Sequence, residues 1–274
     1  MGLEVGFGEI ENGELKNMKQ FLSKVIRDRK FYYLWKKLNE LSYYGMNFGV
    51  ASGYANYSGE LYIIKKVKNY VSGGVIFDIG ANVGEWSKFV MNEYEDMRYN
   101  LFLFEPSLAT FNKLKENIKS RENVTMFPIG FGDKAETLKL FYNNETQGSA
   151  SILKKGKYFE DIQIETIDNF CKENNISTID FLKMDVQGYE YNILIGAKRM
   201  LSEGRIKFIQ FEFDEPNIEN RIFFKDFWQI LSNDFDIYQS LYNGLIKIER
   251  YDYTLENFRC MNYLAVSKGI NFNL

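Results

Sequence analysis

Hydrophobic positions divide this chain into two patterns. From residue 13 to residue 41, Leu15, Met18, Phe21, Leu22, Val25, Tyr32, Leu34 and Leu38 recur at roughly helical spacing among many charges, which predicts helix. Residues 43–58 are rich in Gly, Tyr, Asn and Ser and read as a loop, and 60–71 reads as another helix, stopped by Gly73-Gly74. Beyond that point short apolar runs alternate with amphipathic stretches. Strands are predicted over 75–79, 100–104, 124–129, 178–184 and 207–213, and helices over 85–94, 107–119, 190–201 and 221–231, with Ser107 as an N-cap. An edge strand over 136–142, a polar loop over 143–151 and a short strand plus helix over 164–173 come between, and 235–239, 245–250 and 262–266 close the pattern as late strands. The alternation predicts an α/β fold with a parallel, doubly wound sheet and an antiparallel-looking end.

Composition narrows the chemistry. The 274 residues fit one large domain, or a core with an extension, and a hydrophobic content of 45% supplies a sizeable core. The 24 Phe and 19 Tyr accompany abundant Lys, Asn and Ile and scarce Pro, so they read as compositional bias rather than an aromatic binding surface. A net charge of −3 argues against nonspecific nucleic-acid binding. The basic cluster of Lys24, Arg27, Arg29, Lys30, Lys36 and Lys37 reads as a solvated helix face. The chain contains no histidine, which excludes a Ser-His-Asp triad, a histidine base and histidine metal ligands. Cys171 and Cys260 lack metal-ligand spacing, so no zinc site is expected, and two lone cysteines fit a reducing compartment. The first residues resemble no signal peptide, Gly6 breaks a myristoylation motif, and no apolar run reaches the ~18 residues of a membrane span. The expectation is a soluble, cytoplasmic chain.

The most informative segment is Val75-Ile-Phe-Asp-Ile-Gly-Ala-Asn-Val-Gly84, followed by Leu101-Phe-Leu-Phe-Glu-Pro106. An apolar strand enters a glycine loop, and a second strand ends in Glu105, where a carboxylate accepts from both hydroxyls of a ribose. A dinucleotide fingerprint places glycine where Asn82 stands, because the backbone there approaches a pyrophosphate. Asp78, just before the turn, would repel a diphosphate and suits the cationic ammonium and sulfonium of S-adenosylmethionine. Gly130-Phe-Gly-Asp133 closes the third strand; Phe131 is placed against an adenine and Asp133 against its amino group, with Gly132 in the turn. Asp185 lies at the carboxyl end of a later strand, the ligand-binding edge of open α/β sheets. Period-two alternation puts Gln210, Glu212 and Asp214 on one face of the next strand. Carboxylates this deep in apolar strands are costly unless paired or coordinated. If the two strands are neighbours, Asp185 and Glu212 converge.

Taken in order, Phe77-Asp-Ile-Gly-Ala-Asn-Val-Gly84, Phe104-Glu-Pro106, Gly148-Ser-Ala-Ser151, Lys183-Met-Asp-Val-Gln-Gly-Tyr-Glu190, the Glu212 strand and Asn262-Tyr-Leu-Ala-Val266 resemble the FkbM family of S-adenosylmethionine-dependent methyltransferases over roughly residues 59–266. The resemblance implies a Rossmann-like class I methyltransferase fold, a seven-stranded, mostly parallel sheet with a reversed C-terminal hairpin, in a domain of residues 59–274. Residues 1–58 would form an N-terminal helical extension or cap, or an oligomer contact. It implies O-methylation of a hydroxyl, often on a sugar or a polyketide. Donor-binding roles fall on Asp78, Gly80, Asn82, Gly84, Glu105, Pro106, Gly132 and Asp133. Two positions depart from the family pattern: Gln187 stands where Glu is usual, and Tyr189 where His is frequent.

For methyl transfer the residues must position a hydroxyl and remove its proton. Asp185, Glu212 and Lys183 are the catalytic candidates. Asp185, Glu212 and Asp214 could instead hold a hard cation such as Mg²⁺ through oxygen ligands. Ser149, Ser151 and Tyr189 are candidate substrate contacts. The expected partner is a small-molecule or glycan acceptor with a free hydroxyl. Two other classes stay open at this point: an NAD-dependent oxidoreductase acting on a sugar, and a noncatalytic interaction module that retains the fold.

Overall fold

The computed structural model describes residues 13–49, 58–119, 121–142, 152 and 156–273. It divides into two compact units, Met1–Met46 and Asn47–Leu274. In the first unit α1 (Gly13–Ile26) leads through a 3-10 turn at Arg29–Phe31 into α2 (Tyr32–Gly45). The single helix expected over 13–41 is broken at Asp28, whose backbone is extended and whose carboxylate accepts from Lys30 N at 2.9 Å. Aspartate offers the backbone this competing hydrogen bond, which is why it favours helix starts over interiors. Trp35 Nε1 donates to Ile26 O at 2.7 Å and ties the second helix to the end of the first.

The second unit is built on an eight-stranded sheet. Its strands are β1 (Gly74–Ile79), β2 (Tyr99–Phe104), β3 (Val124–Phe127), β7 (Ile179–Met184), β8 (Ile206–Phe213), β9 (Phe235–Leu241), β10 (Gly244–Lys247) and β11 (Met261–Ser267), in the order β10-β9-β11-β8-β7-β1-β2-β3. β3, β2, β1, β7 and β8 run parallel, and β11 is inserted antiparallel between β8 and β9. This is the reversed, mostly parallel sheet of a Rossmann-like class I methyltransferase fold. The eighth strand, β10, hairpins onto the edge through a two-residue turn at Tyr242-Asn243. β7 is buried at every position, as a strand covered on both faces must be.

A three-stranded sheet, β4 (Gly130–Phe131), β6 (Tyr158–Glu165) and β5 (Glu136–Tyr142), was not foreseen. The strand expected over 124–129 ends at Phe127, because Pro128 has no N–H for a ladder, and the chain restarts as β4. Among the described residues the further α-helices are α3 (Glu60–Val67), α4 (Glu85–Glu93), α5 (Leu108–Asn117), α6 (Ile167–Glu173), α7 (Glu190–Ile195), α8 (Lys198–Ser202), α9 (Pro216–Asn220) and α10 (Phe224–Leu231). On one sheet face Ile63, Ile64 and Val67 of α3 and Trp86 and Val90 of α4 pack with Ile76, Phe181, Phe208 and Leu264. The abundant phenylalanines fill the interior: Phe77, Phe104, Phe208, Phe211, Phe213, Phe224 and Phe227 are all fully buried. Each such side chain contributes about 1.5–3 kcal/mol of burial.

Candidate functional site

The carboxyl ends of β1, β2 and β7 meet at the glycine loop. Gly80 N and Ala81 N both donate to Phe104 O at 3.0 Å, which ties the loop to the end of β2. Gly80 has φ +77, and a Cβ there would collide with the Asp185 carbonyl oxygen, so the loop and the end of β7 touch through bare backbone. Asn82 adopts φ +48, in the left-handed region that asparagine tolerates, and is exposed. Gly84 has φ +87 and starts α4, with Leu114 and Ile118 where a side chain would go.

Glu105 fixes this loop. Its Oε2 accepts from Asn82 N and its Oε1 from Ser107 N, both at 3.0 Å. Burial pushes its carboxyl up to about 7, against these two hydrogen bonds, which pull the other way. Two accepted bonds leave lone pairs free on both oxygens, since an ionised carboxylate has about four acceptor sites.

Asp78 differs from its expected place at the surface of the cleft. It is fully buried; Ser87 Oγ donates to its Oδ2 at 2.6 Å, and Lys183 Nζ lies 3.1 Å from its Oδ1. That contact is an ion pair rather than a well-directed hydrogen bond, because Oδ1 has no donor aligned on it. The parallel register explains the meeting: Asp78 pairs with Lys183, and Lys183 with Gln210, in one row across three strands. A charge already matched by a buried ammonium exerts little pull on an outside cation, so the expected direct attraction gives way to a support beneath the loop.

Lys183 also lies 3.6 Å from Asp185 Oδ2 and donates to Gly80 O at 3.4 Å. Burial opposes its charge, but Asp78, Asp185 and Glu60 outweigh burial and hold its pKa above the ordinary lysine range. An ammonium held this way is no proton acceptor, which removes Lys183 from the list of bases.

Asp185 follows the Met184–Phe211 pair of β7 and β8, so it stands level with Glu212 as expected. It is half-buried, and its Oδ1 takes a long hydrogen bond of 3.4 Å from Gln187 Nε2. A Glu at 187 would set a like charge there; Gln supplies a donor instead. Gln187 is held at φ +58, and Glu190 closes the turn by accepting from Val186 N at 2.8 Å and Gly188 N at 3.0 Å. Burial and then Asp214 raise Glu190 to about 8.

Glu212 is buried and accepts from Cys260 Sγ at 2.6 Å; burial, then Asp185 and Asp214, push its carboxyl well above the carboxylate range. Asp214 Oδ1 accepts from Asn217 Nδ2 at 3.3 Å. Among the described residues no three His, Cys, Asp or Glu side chains form a group able to hold a metal, and Asp185, Glu212 and Asp214 do not. Each is turned to a different neighbour, so the expected Mg²⁺ set does not assemble.

Gly132 and Asp133 reach the same edge. Tyr189 stands over Gly132, 2.9 Å from where a Cβ would be, and Asn192 Nδ2 donates to Asp133 Oδ1 at 3.4 Å. Burial, with Asp133 and Glu136, raises the Tyr189 phenol to about 12. Tyr189 therefore belongs beside the Gly132–Asp133 turn. Phe131 faces the core rather than the cleft, edge-on to Phe104 at 4.7 Å and to Phe170 at 5.6 Å, so it offers no free face to an adenine. Pro106 is half-buried against Gly130. Ser149 and Ser151 lie outside the described residues.

Sequence reasoning missed a buried polar network behind Lys183. Glu60 Oε1 accepts from Gln210 Nε2 at 3.2 Å, and Glu60 Oε2 from Ser58 Oγ at 3.1 Å; Gln210 also donates to Asn262 Oδ1 at 3.2 Å. Burial raises Glu60 to about 7, with Lys183 opposing. A signal was present: Glu60, Ile63, Ile64 and Val67 form an i, i+3, i+4, i+7 stripe, and all four are buried. A carboxylate in such a stripe needs partners.

The sheet order and this loop define a methyltransferase-type fold, and comparison with known proteins supplies the family. The Methyltransferase FkbM domain family matches residues 78–241, more than half of the chain. The chain belongs to that family. Among characterised proteins it is similar to 2-O-methyltransferase NoeI of Sinorhizobium fredii, with 25% identity over 158 residues, 52% of this chain and 64% of that protein. It is also similar to hexuronic acid methyltransferase AglP of Haloferax volcanii, with 25% identity over 132 residues, 46% of this chain and 51% of the relative. The matches thus span about half to just under two thirds of these relatives' lengths. A solved FkbM methyltransferase from Methylobacillus flagellatus aligns with a TM-score of 0.46 and 17% identity, over 70% of this chain and 43% of that one.

Proposed function

We propose that this chain is an S-adenosylmethionine-dependent O-methyltransferase acting on a hydroxyl of a sugar or related small molecule. The observation that carries the reading is Glu105. It holds the glycine loop through Asn82 and Ser107 and keeps lone pairs on both oxygens for a ribose diol. Gly80, Asn82, Gly84 and Pro106 shape the nucleoside end, and Gly132 and Asp133 the adenine side, while Asp78 supports the loop from below. Catalysis is assigned to residues 59–274, with the preceding helices as an extension.

When bound, the donor supplies an electrophilic methyl group. The chain's task is to orient the acceptor hydroxyl and take its proton as the oxygen–methyl bond forms and the sulfur–methyl bond breaks, which would leave S-adenosylhomocysteine as the departing thioether. Asp185 is assigned that proton. Its carboxylate is half-buried at the carboxyl end of β7, beside the loop, whereas Glu212 is closed off against Cys260. Lys183 and Gln187 position Asp185 from below and from the side. Relatives named for 2-O-methylation and for hexuronic acid methylation support a sugar hydroxyl as acceptor.

The test is transfer of labelled methyl from S-adenosylmethionine to a panel of monosaccharides and uronic acids. Transfer is expected to fall by about 10²–10⁴-fold in Asp185→Asn, with donor affinity retained. Full turnover in that variant would remove Asp185 from the proton step.

A further inference from the structure

The first unit carries charge and apolar surface that methyl transfer does not use. The helix pair of residues 13–45 holds eight Lys and Arg against three Asp and Glu, a net charge of +5, and Glu4, Glu9 and Glu11 before it bring the whole Met1–Met46 unit to +2 within a chain of net −3. The same segment exposes large apolar side chains. Phe21 is 65% exposed, Leu34 50%, Leu38 44%, Leu41 65% and Trp35 44%. Leu34, Leu38 and Leu41 stand at i, i+4 and i+7 on one stripe of α2; Lys37, three residues after Leu34 and four before Leu41, borders the stripe on one side, Trp35 borders it on the other, and Lys36 falls outside it. At the bend between the helices a cleft is lined by Ile26, Arg27, Asp28, Arg29, Tyr32 and Trp35, two arginines and one aspartate among apolar and aromatic residues.

This pairing of features selects among occupants. A second copy of the chain would meet the face across a two-fold axis, +5 against +5, so charge opposes self-association there. A nucleic acid would neutralise the cations but leave the leucine stripe in water. A bilayer with anionic headgroups satisfies both: phosphates meet the Lys and Arg side chains, and the acyl boundary receives the leucines, with tryptophan and tyrosine at headgroup level. We propose that the helix pair of residues 13–45 docks this protein on an anionic membrane surface, lying in the interface without crossing it. No described helix is long and apolar enough to span a membrane.

The test is co-sedimentation of the full chain with vesicles of phosphatidylcholine alone and of phosphatidylcholine mixed with phosphatidylglycerol, at low and high salt. The expected result is binding to the anionic vesicles only, released by salt. Binding should weaken at least about tenfold in Lys36→Glu/Lys37→Glu and in Leu34→Ser/Leu38→Ser. All four positions are exposed, and binding of S-adenosylhomocysteine by each variant reports that the second unit is folded. Absence of anionic-vesicle binding would overturn the proposal, as would equal binding by both variants and the parent chain. Retention of duplex DNA or RNA without vesicle binding would replace it with a nucleic-acid face. A dimer dissolved by Leu34→Ser/Leu38→Ser, again without vesicle binding, would replace it with a self-association face.

Discussion

Lys183→Met tests the buried charge row beneath the loop. Methionine keeps most of the chain length and volume and removes the ammonium. Lys183 is 3% exposed, with Asp78 at 3.1 Å, Asp185 at 3.6 Å and Gly80 O at 3.4 Å, and Glu60 also acts on its charge. Without it, Asp78 stays fully buried with Ser87 as its remaining donor. Removing one partner of a buried ion pair costs about 3–5 kcal/mol. At about 2–4 °C per kcal/mol for a domain of this size, the Tm should fall by roughly 6–20 °C. Urea denaturation and calorimetry read the loss. Adding Asp78→Asn removes the stranded charge, so the double variant should regain stability relative to Lys183→Met, whereas Asp78→Asn alone should destabilise the parent. A loss below about 1 kcal/mol in Lys183→Met, or the same effect of Asp78→Asn in both backgrounds, would refute a dry, coupled pair.

Three further outcomes follow from the geometry. Glu105→Gln preserves shape but offers one acceptor and one amide donor to two backbone N–H groups; one of them loses its partner, at about 1–3 kcal/mol in urea denaturation, and donor affinity falls with the loop. Gly80→Ala places a Cβ on the Asp185 carbonyl at φ +77, and thermal melts should show a loss of about 1–3 kcal/mol or more. Stability should decline as pH rises from about 4.5 to 8, because Glu60 at about 7 and Glu190 at about 8 hold protons more tightly folded than unfolded; their contribution is complete below pH 4.5 and is lost through their folded pKa values. Glu60→Gln should flatten that slope in urea midpoints taken across the range, and an unchanged slope would count against the assignment.

The parts of the fold legible in the sequence are those whose signal is local. Residues 75–84 join an apolar strand to a glycine turn, and Glu105 follows at the next strand end, so the loop and its carboxylate were readable within a span of 31 residues. The level meeting of Asp185 and Glu212 followed from strand adjacency alone. What escaped depends on long-range register. Asp78 and Lys183 are 105 residues apart and Glu60 and Gln210 are 150 apart, and only the sheet order aligns them. Asp78 was therefore read as a free charge at the cleft when it is already neutralised. The small sheet was missed because β6 reads as a mixed polar run until β5 pairs with it and buries Ile162 and Ile164. The break at Asp28 was missed because helical spacing of the apolar residues runs through it.

The most direct test of the methyltransferase account is calorimetric titration with S-adenosylmethionine, S-adenosylhomocysteine and NAD. The account predicts binding of both adenosyl ligands, weakened by at least about tenfold in Glu105→Ala, and no binding of NAD, because Asn82 stands where a pyrophosphate needs glycine. Binding of NAD with no binding of either adenosyl ligand would contradict it and make the chain an oxidoreductase on the same sheet. Binding of none of the three would leave the fold without its donor.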